Sequence, residues 1–103
     1  MASSRTNLFS NEFQNIAAIA KCLSHPARLK ILNLLHEKGE TQFGHLIRRI
    51  PLSRYTVYHH LDALKQVGIV EVNEQPPYSY YSVNKANLQQ SILAVERYLQ
   101  TLH

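Results

Sequence analysis

Pro51 lies between two helical patterns and fixes the distance between them. The stretch from Thr41 to Gly68 reads TQFGHLIRRI-PLS-RYTVYHHLDALKQVG. Proline cannot give an interior helical N–H, and its ring pushes the preceding Ile50 out of the α region. Two residues later, Ser53 is a good N-cap, because its hydroxyl accepts from the free N–H groups of the next turn. The sequence therefore predicts one helix ending near Arg49, a three-residue turn, and a second helix over 53–67. That spacing is a helix-turn-helix, an arrangement whose second helix enters the major groove of DNA.

The phase of the second helix sorts its residues. Val57, Leu61 and Leu64 recur at four and three, so they form an inward stripe. His60 falls on the edge of that stripe and is expected to be a packed, locally bonded histidine. Arg54, Tyr55, Tyr58, His59 and Asp62 lie away from it. The outer face of the first two turns is thus Arg, Tyr, Tyr and His, side chains that donate, stack or reach phosphate. A solvated face without acids is the plain alternative. From Gly44 to Leu61 there are three arginines and three histidines, and all seven acids lie elsewhere. Arg48 and Arg49 follow the apolar Phe43, Leu46 and Ile47, so they are expected to face outward within reach of a phosphate backbone. Ser53 and Thr56, at the start of the second helix, complete the expected DNA-binding set.

With 103 residues the chain has room for one core. A formal charge of +4 is a modest tilt toward anionic partners, and its placement says more than its size. No apolar run reaches transmembrane length and the first residues have no signal-peptide core, so the expected location is cytoplasmic, without a membrane partner. Cys22 is the single cysteine, which excludes an intrachain disulfide and a multi-thiolate zinc site. Together with His25 it offers at most two metal ligands, and a small buried side chain is the simpler reading.

Residues 1–7 are expected to be a flexible terminus, and 8–103 one domain. A first helix is expected from Leu8 to Leu23, with Phe9, Phe13, Ile16, Ala20 and Leu23 as an apolar seam. A second starts at Pro26 and stops at Gly39. It is apolar at Leu29, Ile31, Leu32, Leu34 and Leu35, nearly all round, so it should be the central core helix. After Gly68 the pattern becomes β-branched and aromatic, over Ile69–Val72 and Tyr78–Val83. Asn73–Pro77 reads as the turn between two strands, and such a hairpin after a recognition helix is a wing. A last helix, Lys85 to Leu102, carries Leu88, Ile92, Val95, Leu99 and Leu102 as a second narrow seam. Two such seams at opposite ends of a small domain are explained most simply if they meet in a homodimer. The expected fold is mainly α with a small β-hairpin: five helices plus a two-stranded wing.

Three segments resemble the ArsR/SmtB family of winged helix-turn-helix repressors. LSHPARLKIL (Leu23 to Leu32) is similar to the opening of that family's second helix. LSRYTVYHHLDALKQVGIV (Leu52 to Val70) resembles its recognition helix and first wing strand, including the paired histidines, and YYSVN (Tyr80 to Asn84) its returning strand. The resemblance implies a dimer held by the first and last helices, with two recognition helices in successive major grooves of an inverted repeat. It places the DNA-reading positions on Arg54, Tyr55, Tyr58 and His59, the same four that the phase selects. The family's metal positions fall on Gln42 and Gly44, which supply no soft ligand, and on a last helix that has only Glu96 and a terminal His103. No metal and no cofactor are therefore expected. The wing departs from the pattern too, with Glu71, Glu74 and two prolines where basic residues are common.

The leading expectation is a sequence-specific DNA-binding transcriptional regulator, a dimeric repressor of undefined effector. A metal-responsive sensor with a non-standard site and a winged-helix protein-interaction module are the alternatives. An enzyme is not expected, because no nucleophile, acid partner or Gly-rich loop is arranged around His59 and His60.

Overall fold

The computed structural model describes residues 8–103. The terminus expected to be flexible, 1–7, lies outside the described residues. Helix α1 is Asn11–Cys22 and α2 is Pro26–Lys38. A short strand β1, Thr41–Gln42, leads into α3, Phe43–Arg49, and α4 is Arg54–Gln66. Strands β2, Val70–Gln75, and β3, Tyr78–Val83, precede α5, Lys85–Gln100.

Helix ends sit where backbone chemistry puts them. Ser10 caps α1, its hydroxyl accepting from the Phe13 N–H at 3.1 Å. The helix therefore starts three residues later than the apolar pattern suggests, and Leu8 and Phe9 precede it. Gly39 ends α2 at φ 76°, a left-handed conformation that costs glycine little. Ile50 is extended, at φ −123° and ψ 122°, as the following proline requires. Asn84 caps α5, accepting from the Asn87 N–H at 3.1 Å.

The sheet differs from expectation in two ways. It has three strands, in the order β1-β3-β2, because Thr41 and Gln42 pair antiparallel with Tyr81 and Tyr80. A two-residue strand is too short for alternation to reveal. The hairpin is also longer than the predicted strands. Asn73, Glu74 and Gln75 continue β2 opposite Tyr80, Ser79 and Tyr78, leaving only Pro76–Pro77, joined by a cis peptide bond, as the connection. At the tip the prolines displace no ladder donor.

The core is built by α2, α3, α4 and the roots of the sheet. Ile31, Leu35, Leu46, Val57, Leu61, Leu64, Ile69 and Val70 are fully buried in it. Helix α2 is less uniformly covered than its composition suggests, since Leu29 is 52% exposed. Helix α1 turns Ile19 and Cys22 to the core, while Ala20 of the expected seam is exposed. Helix α5 has no buried residue at all. It lies against α1, where Phe13 and Tyr98 meet edge to face at 5.5 Å. Leu102 falls just past its end.

Candidate nucleic-acid interface

The turn between α3 and α4 is held by local bonds. The Ser53 hydroxyl accepts from the Thr56 N–H at 3.1 Å and shares a 2.8 Å hydroxyl–hydroxyl bond with the Thr56 side chain. Both hydroxyls are thus engaged in capping, and Thr56 is half-buried. Of the two, only Ser53 is exposed.

From that cap, the buried stripe Val57, Leu61 and Leu64 fixes which face looks out. Arg54, Tyr55, Tyr58 and His59 are all exposed, and together they form the outer face of the first two turns. Tyr55 is 70% exposed and leans edge-on to the His59 ring at 4.4 Å. The Arg54 guanidinium lies 5.5 Å over the Phe43 ring of α3. A cation held over a ring is directed without being neutralised, so the contact orients Arg54 and leaves its charge, among the described residues, unpaired by an acid.

Arg48 and Arg49 are exposed on the last turn of α3. They border a concavity of about 520 Å³ that also meets Lys38, His45 and one acid, Glu40. The basic face thus extends behind the turn to the end of α2, which the linear sequence does not show because β1 and α3 lie between Lys38 and Arg49.

The wing keeps its acids occupied with neutral donors. Asn84 donates to Glu71 at 3.3 Å, and the Ser79 hydroxyl donates to Glu74. Neither contact removes the negative charge, so the hairpin offers phosphate no attraction.

His60 is half-buried beneath this face. Its Nδ1 accepts from Arg28 Nε at 3.0 Å, and its ring lies 5.5 Å from that of His25. Burial first, then the charges of Arg28, His25 and His59, push its pKa below the ordinary value of 6.5. Cys22 is buried, its thiol donating to the Ala63 carbonyl at 3.6 Å. Burial raises its pKa, against an opposing pull from Arg28. Cys22 and His25 thus both turn to α4, the first to the Ala63 carbonyl and the second to the His60 ring. Among the described residues, no three His, Cys, Asp or Glu side chains gather as metal ligands would. Gln42 occupies the N-cap position of α3 and its side chain makes no capping bond.

Sequence reasoning missed Arg28. Its only signal was its place in LSHPARLKIL, and His60, expected to be bonded locally, instead bonds a partner 32 residues away.

The comparisons with known proteins agree with this geometry. A family described as a helix-turn-helix domain matches residues 23–73. The transcriptional repressor SdpR of Bacillus subtilis is 35% identical over 74 residues, spanning 72% of this chain and 81% of that protein. An ArsR-like transcriptional regulator from Rhodococcus superposes with a TM-score of 0.78 at 26% identity, over 90% of this chain and 87% of the other. A homodimeric winged helix-turn-helix DNA-binding domain from Mycobacterium bovis superposes with a TM-score of 0.68 at 25% identity, covering 88% of this chain and 84% of that one.

Proposed function

The chain belongs to the ArsR family of winged helix-turn-helix transcriptional regulators, and from that premise we propose that it is a homodimeric repressor reading an inverted-repeat operator through α4. One observation carries the reading. The first two turns of α4 expose Arg54, Tyr55, Tyr58 and His59 with no acid among them, above a stripe whose burial leaves that face no other orientation. Arg54 reads a base edge, with Tyr55, Tyr58 and His59 stacking or donating beside it. Ser53 and Thr56 set the start of the helix, while Arg48 and Arg49 meet phosphate.

The dimer rests on Phe9, Phe13, Ile16, Ala20, Leu88, Ile92, Val95, Leu99 and Leu102. Phe9, Phe13, Ile92, Leu99 and Leu102 stay 59, 47, 45, 53 and 64% exposed in the single chain. Large apolar side chains gathered on and just beyond two adjacent helices mark an interface. Among the described residues no helix is long and apolar enough to cross a membrane, and the place of action we assign is the cytoplasm, where the DNA is.

Selection of bound duplexes from a random pool tests the whole reading. Recovery of an inverted repeat, with half-sites about 10 base pairs apart centre to centre, is the expected result. Absence of binding to any duplex in low salt sinks it.

A further inference from the structure

Three helices meet at one guanidinium. Arg28, half-buried near the start of α2, donates through Nη1 to the Cys22 carbonyl at 3.1 Å, at the end of α1. Through Nε it donates to His60 Nδ1 at 3.0 Å, on α4. The Cys22 thiol joins α1 to α4 a second time, at the Ala63 carbonyl.

Apolar contact and these bonds do different work. Burial of Val57, Leu61 and Leu64 holds α4 in place but tolerates small rotations, because the hydrophobic effect has no direction. A hydrogen bond weakens steeply as its angle closes. The Arg28–His60 bond, shorter than the Cys22 thiol contact, therefore resists rotation of α4, and it lies next to His59. We propose that Arg28 is a positioning residue for DNA recognition, acting through neutral His60 to fix the angle at which α4 presents Arg54, Tyr55, Tyr58 and His59. The inference rests on the DNA-binding reading given above.

The tautomer follows from the chemistry. Arginine only donates, so His60 Nδ1 must be the bare nitrogen and the ring proton sits on Nε2. A second proton removes the acceptor and places a cation against a cation. The charged groups facing His60 compound this: Arg28 and His25 from the α2 side, and His59 on its own helix, are all positive when charged. From α1 the Cys22 thiol reaches α4 at the Ala63 carbonyl, and burial raises its pKa further from neutrality. Acidification should thus release α4 from Arg28, so the ratio of specific to nonspecific affinity should fall as the pH falls.

The test uses the whole protein, a selected operator duplex and a mixed-sequence duplex, with circular dichroism as a check on folding. At pH 8, Arg28→Ala and Arg28→Lys should lower the operator-to-mixed affinity ratio about tenfold, in the range of coupling between packed elements. Affinity for the mixed duplex should stay within about twofold, because Arg28 is not on the DNA face. His60→Asn puts an amide oxygen near the Nδ1 position and cannot titrate. It should keep the ratio on acidification, whereas the parent loses it. The His60 ring proton, followed by NMR, should titrate nearer its ordinary value in Arg28→Ala. A folded Arg28→Ala with an unchanged ratio overturns the inference, as does His60→Asn losing the ratio like the parent. A parent that binds no duplex at all removes the DNA-binding reading itself, and the positioning role falls with it.

Discussion

Helices α4 and α5 carry nearly the same apolar spacing and meet different surroundings. In α4 the stripe Val57, Leu61 and Leu64 has no exposed surface. In α5 the stripe Leu88, Ile92, Val95 and Leu99 has no buried member, and Ile92 and Leu99 are 45 and 53% exposed. Helix α4 sits against α2 and β2. Helix α5 lies at the edge, with α1 as its helical neighbour, and α1 itself buries only Ile19 and Cys22. An apolar face states that something must cover it. It does not state whether the cover belongs to the same chain.

The largest expected effect breaks the α4 half of this comparison. Leu61→Ala leaves a cavity in the core and should cost about 2–5 kcal/mol, read from the midpoint of denaturant unfolding. A loss within error would mean that the stripe is not the foundation of the outer face of α4.

Next comes the α5 half. Leu99→Glu places a charge on the open seam, where it would lose its water in a dimer without gaining a partner. Leu99 is a sharper choice than Val95, which is already half-buried within its own chain. Sedimentation should show a folded monomer, with Gln100→Glu remaining dimeric. If unmodified protein sediments as a monomer at high concentration, the dimer and the inverted-repeat operator both fail.

A smaller effect belongs to the outer face of α4. Arg54→Ala should cost about 1–3 kcal/mol on the operator and relax specificity at one base pair, whereas Arg48→Ala should weaken all duplexes alike and lower the salt slope by about one. Anisotropy titrations at several salt concentrations separate the two. Equal losses on operator and mixed DNA for Arg54→Ala would assign it to phosphate instead.

The smallest effect is on pH. His60 has its pKa lowered by the fold, so its contribution to stability is present above about 6.5, the ordinary value, and is lost as pH falls below it. Cys22 and Tyr81 have theirs raised, chiefly by burial, so their contributions are present below the ordinary values of 9.0 and 10.0 and are lost as pH rises past them. Unfolding midpoints should therefore be highest between these limits and decline on both sides. In Arg28→Ala the acid decline should be shallower, since one source of the His60 shift is gone.

Much of the candidate site was legible because its determinants are local. Pro51 and Ser53 set the turn within a few residues, and the phase of Val57, Leu61 and Leu64 then decided that Arg54, Tyr55, Tyr58 and His59 face outward. The Thr56 side chain was less legible, since its hydroxyl is drawn into the cap by Ser53. The third strand was missed because Thr41 and Gln42 are a strand only through their pairing with Tyr81 and Tyr80. The start of α1 was misplaced because Leu8 and Phe9 fit the helical period, while Ser10 supplies the cap that begins the helix.

By itself the sequence determined the order of the five helices and the hairpin, the position of the turn and the face of α4 that looks outward. Caps, prolines and apolar periodicity act through the backbone over one or two turns, and a local cause can be read locally. Only the tertiary structure decided that Lys38 joins Arg48 and Arg49 around one concavity, that α5 keeps its apolar face open, and that Arg28 reaches His60. Those outcomes depend on which elements become neighbours once the core closes. A directional bond between side chains 32 residues apart has no local precursor in the chain.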